Sequence, residues 1–261
     1  MLTQAAAIWR FRFFLLALVW LDFRKRYNRS WLGVGWAAVL PIALAGTYIV
    51  VFSGVVGLST VEYTKTLLLG LAVWGFFRDC AVNGCLALFS HETYIRSYDL
   101  PIGLYSLRFV LGYAIQAAFA LAAAVAFVVG LDGSAQKLAL LWAVVPSLLM
   151  IFVAGWAFAT TVSFAQVYFH DTKHLLEIGS QMLFFLTPIV YPAGLLVGRG
   201  LGWMARINPI NVYLELVRYP LATGELPDAK LYLYGLVCTA ALVAVASATI
   251  WRYQKRFVFA L

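Results

Sequence analysis

No segment of this sequence reads G-x-x-x-x-G-K-[ST], the glycine-rich loop that cradles a nucleotide's phosphates, so energy for any ATP-driven step must come from outside the chain. Charge is scarce as well. Asp, Glu, Lys and Arg make up 11% of 261 residues, against about 25% in soluble domains, while 64% of residues are hydrophobic. An ordinary soluble globule is excluded, and a multi-span membrane protein is what remains. The three cysteines, Cys80, Cys85 and Cys238, show no C-x-x-C spacing and read as small apolar fillers. The apolar opening AAAIWRFRFFLLALVWLDFRKR has no A-x-A cleavage site behind it and is broken by Arg10 and Arg12, which argues against a signal peptide or an extra span.

What the sequence has in abundance is apolar runs of membrane-spanning length. A bilayer core about 30 Å thick takes about 20 helical residues, and six such stretches stand out, at 35–57, 65–89, 105–130, 138–163, 175–191 and 231–251. The expected fold is therefore all-α and polytopic, with six transmembrane helices. Residues 1–34 would form a cytoplasmic interfacial helix and basic arm, and 35–261 the transmembrane domain. In the interfacial helix Trp9, Phe13, Leu16 and Trp20 would turn to lipid or protein, with Arg10 and Arg24 toward phosphates.

The net charge of +8 points to loops retained in the cytoplasm rather than to nucleic acid. With the N-terminus inside, twelve cations fall on inner segments: Arg10, Arg12, Arg24, Lys25, Arg26, Arg29, Arg96, Arg108, Lys173, Arg252, Lys255 and Arg256. Six fall outside, namely Lys65, Lys137, Arg199, Arg206, Arg218 and Lys230, and Arg78 lies within a span. This asymmetry predicts that both termini are cytoplasmic. The cluster Arg24, Lys25, Arg26 and Arg29 sits directly before the first span, at the inner headgroup level. Each cation there gains about 1 kcal/mol from an anionic surface, and the cluster would serve as topological anchor or as a contact for a lipid diphosphate.

Three further sets carry possible chemistry. Tyr48 and Phe52, Trp74 and Phe77, and Phe184 and Tyr191 recur at helical spacing on the first, second and fifth spans, as a lining of flat faces or as lipid-facing belts. Arg78, Asp79 and Asn83 lie in the second span, where ionisable groups usually face a bundle interior or water; partners on other helices are expected for Arg78 and Asp79. His170, His174 and Glu177, spaced i, i+4, i+7, would share a helical face and imitate a zinc site, with solvation of a surface helix as the plainer reading. Asp171 or Thr172 would cap the fifth span's helix. LSTVEYT and LDGSAQK read as tight outer loops. After Thr187, Pro188, Pro192, Pro209 and Pro220 cut the chain into apolar pieces too short to cross a bilayer, which predicts re-entrant or interfacial helices forming an outer lid or gate.

One combination has a known counterpart. RYNRSWLGVGW followed by AAVLPIALAGTYIVVFSGVVG resembles the start of the permease subunits of ABC exporters for O-antigen and teichoic-acid polysaccharides, within the ABC-2 type family. Arg26, Tyr27, Ser30, Leu32, Gly33, Trp36, Pro41, Tyr48, Val51 and Phe52 match that pattern, and FHDTKHLLEIGSQMLFFLTPIVYP and INPINVYLELVRYPLATGELP resemble its later F-x-D, T-P-I-x-Y-P and N-P signatures. The resemblance implies a homodimer in the bacterial inner membrane, two copies of a separate cytoplasmic ATPase holding the ATP and magnesium, and a polyprenyl diphosphate-linked glycan as cargo. This chain would carry no cofactor and catalyse nothing. The ATPase would dock on Tyr94, Ile95, Tyr98, Leu100 and Pro101 of the first inner loop and on Phe169, Asp171 and Lys173 of the second. His170 stands where the family often has Arg, and the first loop has Arg96 where several lysines are usual. A small-molecule exporter of the same broad family and a membrane-embedded glycan-assembly enzyme are the alternatives.

Overall fold

The computed structural model of the chain describes residues 9–28, 30–56, 58–91, 101–132, 140–198 and 200–254. Ten α-helices are found there: α1 (Arg12–Tyr27), α2 (Trp36–Val56), α3 (Thr60–Val82), α4 (Ile102–Asp132), α5 (Leu141–Tyr168), α6 (Thr172–Leu186), α7 (Ala193–Gly198), α8 (Gly202–Ile207), α9 (Pro209–Arg218) and α10 (Ala229–Tyr253). Five helical stretches among the described residues, built on α2, α3, α4, α5 and α10, are long and apolar enough to cross a membrane. The protein is thus an all-helical, multi-pass membrane protein.

The expected fifth span, 175–191, is shorter than the sequence suggested. Its helix α6 has 15 residues, about 22 Å at 1.5 Å per residue, and ends at Leu186, because Pro188 cannot continue it. Two other boundaries moved for identifiable reasons. LSTVEYT is the first turn of α3 rather than a loop: the Ser59 side chain accepts a hydrogen bond from the Glu62 backbone N–H at 3.2 Å and donates to Glu62 Oε2 at 3.0 Å, an S-x-x-E cap. Lys65, counted as an outer cation, is consequently buried in that helix. The far end of α3 tightens into 3-10 turns at Gly84–Leu86 and Phe89–His91.

α3 is the axis of the molecule. It packs against α2, α4, α5, α6 and α9, and its buried side chains form most of the core with Val110, Ile151, Ile189, Tyr213 and Leu216. α10 pairs with α5 on one flank, where the Tyr232 hydroxyl donates to the Ala143 carbonyl at 2.7 Å. On the opposite side α1 lies against α4. Leu15 and Val19 of α1 are buried with Leu104, whereas Trp9, Phe13, Leu16 and Trp20 point away from the bundle. The aromatic face expected to turn to lipid or protein is therefore open, and an aliphatic stripe beside it does the packing. α2 is exposed along most of its length.

The proline-rich segment after Thr187 resolves into three short helices and a π turn at Tyr219–Thr223, closed by Gly224 at φ +82°, a left-handed conformation that a side chain disfavours. Two of the prolines sit where a missing N–H does no harm: Pro209 is the first residue of α9, behind the cap Asn208, and Pro192 directly precedes α7.

Candidate functional site

The rings singled out in the sequence meet across three helices. Tyr48 and Phe52 of α2 are neighbours at 6.1 Å between centroids, Tyr48 lies 6.1 Å from Phe184 of α6, and Phe184 lies 5.6 Å from Trp74 of α3. The row runs from half-open to closed, since Phe52 is 36% exposed and Trp74 only 7%. Phe77 is not part of it. It is buried and stacks on Tyr213 of α9 at 5.3 Å. Tyr191 also stands apart, its hydroxyl donating to the Phe185 carbonyl at 2.6 Å. Beside Phe184, the α6 residues Leu175, Ile178, Met182 and Phe185 recur at three- and four-residue spacing and are all exposed, so an apolar stripe stands open next to the ring row.

Within the second span, Asp79 accepts a hydrogen bond from Asn83 Nδ2 at 3.0 Å, one turn along the same helix. This corrects the expectation of a partner on another helix, since i and i+4 face each other on α3. Arg78 is exposed and has no hydrogen bond or ion pair among the described residues. It lines a mostly apolar cavity of about 270 Å³ with Trp74, Phe77, Asn208 and Tyr213.

The motifs that follow Thr187 form one knot. Asn208 caps α9 by accepting from Ile210 N at 3.0 Å, and its amide donates to Thr187 Oγ1 at 2.7 Å, joining the N-P and T-P-I sequences. Arg218 ties the knot to α3. Its guanidinium donates to the carbonyls of Thr66 at 3.2 Å, Pro188 at 2.7 Å and Ile189 at 3.2 Å, with Glu215 at 3.5 Å. Gly70 makes room for it, because a Cβ there would collide with Arg218 Nη2. Burial draws the Arg218 pKa below its ordinary value and Glu215 opposes the shift, but a guanidinium starts so high that it stays cationic. The sequence placed Arg218 in an outer loop. Its isolation at the end of the amphipathic run NPINVYLELVR was the available signal.

α5 and α6 are joined by a tight turn, and Gln166 organises it. Gln166 Oε1 accepts from Lys173 N at 2.8 Å and its amide donates to His170 O at 2.7 Å. Asp171 occupies the cap position of α6 but its side chain makes no capping bond, so a glutamine from the preceding helix does what Asp171 or Thr172 was expected to do. The histidine set does not converge. α6 starts two residues after His170, whose ring instead packs on Phe89 at 5.7 Å, while His174 and Lys173 approach Glu177 at 3.4 and 3.8 Å. No group able to hold a metal occurs among the described residues. Phe169 and Asp171 are exposed and Lys173 half-buried at this surface. Tyr94, Ile95, Tyr98 and Leu100 lie outside the described residues, and Pro101 immediately precedes α4.

Of the basic arm, Arg24, Lys25 and Arg26 form the last turn of α1 and Arg29 lies outside the described residues. Arg26 donates to Gln116 Oε1 at 3.1 Å and its guanidinium carbon lies 4.6 Å from the Tyr113 ring centre. Next to it, Arg108 of α4 makes a bidentate ion pair with Asp22, at 2.6 Å from Nε and 2.7 Å from Nη2. Sequence reasoning left Arg108 among the loop cations, although its place inside a predicted span was the signal that it needed a partner.

Comparison with known proteins bears on the whole arrangement. O-antigen export system permease protein RfbA of Klebsiella pneumoniae is 22% identical over 239 residues, covering 90% of this chain and 91% of that protein. The protein of the same name from Myxococcus xanthus is 22% identical over 261 residues, covering 98% and 96%. The sequence profile of the ABC-2 type transporter family matches residues 14–221, from within α1 to within the π turn that follows Arg218. With helices α2 to α9, the turn between α5 and α6 and the knot around Arg218 all inside that match, and of the described helices only α10 beyond it, the chain belongs to the ABC-2 type transporter family.

Proposed function

We propose that the chain is the permease subunit of an ABC exporter that moves a lipid-linked polysaccharide, of the O-antigen, teichoic-acid or capsule type, outward across the inner membrane. The observation that carries this reading is the row Tyr48, Phe52, Phe184 and Trp74 beside an open apolar stripe on α6. Flat rings pack on the C–H faces of sugars without demanding one geometry, which suits a path that must pass many residues and grip none. Trp74 and Phe77 back that path from α3, Tyr191 sits at its outer end, and Arg78, Asp79 and Asn83 give it a polar band. The names and near full-length coverage of the two relatives support the same cargo class.

The chain works as a homodimer. The exposed faces of α2 and α6 form the seam with a second copy, which covers apolar surface and encloses the ring row between subunits. It hydrolyses no nucleotide, needs no cofactor of its own, and draws its energy from two copies of a cytoplasmic ATPase docked on Phe169, Asp171 and Lys173 and on the first inner loop, Tyr94, Ile95, Tyr98, Leu100 and Pro101. Arg24, Lys25, Arg26 and Arg29 anchor the start of the transmembrane domain, 35–261, at inner headgroup level, with 1–34 as the interfacial segment.

Six crossings and two cytoplasmic termini follow from treating α6 with the turn at 187–189 as a full traverse. Two contacts support it. His170 meets Phe89 at the inner end of α3, and Pro188 and Ile189 are bonded through Arg218 to the level of Thr66 near its outer start. The short helices α7, α8 and α9 then act as re-entrant elements of an outer gate. Deletion of the gene tests the reading: polyprenyl-linked glycan should accumulate inside and surface glycan should vanish. Unchanged surface glycan, with sensitivity to a small toxic compound instead, would overturn it.

A further inference from the structure

We propose that the cavity between α1 and α4 is a binding site for a phosphate or diphosphate group. It encloses about 370 Å³ and is walled by Asp22, Lys25, Arg26, Ser90, Arg108 and Tyr113 among others. Three cations face one carboxylate, a surplus of two positive charges. Asp22 neutralises only part of Arg108 and holds it in place by the bidentate pair.

The third nitrogen of that guanidinium points to a missing acceptor. Arg108 is 6% exposed, and its Nη1 is buried with no hydrogen-bond partner among the described residues. A buried N–H without an acceptor loses its hydration and gains nothing in return, so native structures rarely leave one. An anion entering the cavity supplies the acceptor after a small shift of the fork. Arg26 has spent one donor on Gln116 and rests on the Tyr113 ring, which fixes its plane at the cavity wall. Lys25 and Ser90 are exposed and make no ion pair or side-chain hydrogen bond among the described residues. Two guanidinium forks, an ammonium and a hydroxyl converging from two helices and a turn suit a tetrahedral, multiply charged oxyanion better than a planar carboxylate.

Both a lipid headgroup and a soluble phosphate carry this group. In taking a polyprenyl diphosphate as the natural occupant the inference rests on the exporter reading; the anion site itself rests on the geometry of Arg26, Arg108 and Asp22.

The test uses the full chain in dodecyl maltoside, which contains no phosphate, titrated calorimetrically with inorganic diphosphate and separately with geranylgeranyl diphosphate. One site per chain is expected. Arg26→Ala should weaken binding at least tenfold, and Arg108→Lys, which keeps the charge but loses the fork, should do the same. Arg252→Ala, an exposed cation at the end of α10, should bind as the unaltered chain does. Arg26 is exposed, so its variant reports on the site even if Arg108→Lys fails to fold. Binding at least tenfold tighter for the isoprenoid assigns the site to a lipid headgroup, and equal binding assigns it to a free anion. Undiminished binding by Arg26→Ala, or an equal loss on Arg252→Ala, overturns the site. The gene deletion separates the two ideas: unchanged surface glycan removes the exporter reading and leaves the titration standing, whereas lost glycan with undiminished Arg26→Ala binding removes the site alone.

Discussion

α2 and α3 are consecutive spans, yet they have opposite environments. In the span built on α3, 78% of the most apolar window is buried, and in that built on α2, 11%. The buried one is the less apolar of the pair. In water this would be a paradox, because burial follows hydrophobicity. In a bilayer lipid is as apolar as leucine, so hydrophobicity fixes only that a helix crosses, and packing is decided by shape and by polar groups that cannot face hydrocarbon. α3 buries Lys65 and Thr64, and the gap at Gly70 admits Arg218, whose guanidinium also bonds the Thr66 carbonyl and so ties α9 to it. α2 has nothing comparable and keeps its surface free for lipid, cargo or a second copy.

The contrast predicts a division of labour that mutation can break. One of the two largest effects should come from Arg218→Ala, which strands the carbonyls of Thr66, Pro188 and Ile189 and the carboxylate of Glu215. A loss of about 3 kcal/mol or more is expected, read as a lower midpoint of unfolding in detergent. Trp74→Ala, which empties a core position on α3, should cost about 3–5 kcal/mol by the same assay. Ser59→Ala removes the α3 cap and should cost about 1 kcal/mol. Phe52→Ala on α2 sits at the bottom of the stability scale, within about 0.5 kcal/mol, because its ring is half-open at the edge of the row, where lipid can replace its contacts. Export should rank the last two the other way: Phe52→Ala lowers surface glycan several-fold and Ser59→Ala leaves it unchanged. Equal stability losses for Trp74→Ala and Phe52→Ala would erase the distinction between the helices.

How legible the molecule was in its sequence follows the same physics. Apolar run length located the spans of α2, α4, α5 and α10 to within a few residues, since crossing a bilayer is a one-dimensional demand. It overran α6, where Pro188 stops the helix, and missed the start of α3, although Ser59 and Glu62 spelled a cap. The site was legible only as a set of residue types. Spacing put Tyr48 with Phe52 on one face, but that Phe184 would join them and Phe77 would turn to Tyr213 depends on how three helices pack, which no local pattern encodes. Arg218 and Arg108 were misplaced for one reason: counting loop charges assumes that cations sit in loops, and both are held by distant partners, Ile189 at 29 residues and Asp22 at 86 residues in sequence.

The central claim is that this permease is a conduit driven by a nucleotide-hydrolysing partner. Its most direct test is reconstitution in vesicles of the purified chain, alone and with its partner ATPase, following ATP hydrolysis and movement of lipid-linked glycan together. The account predicts neither activity from the chain alone and both from the pair. Glycan movement or ATP hydrolysis by the chain without its partner would contradict it.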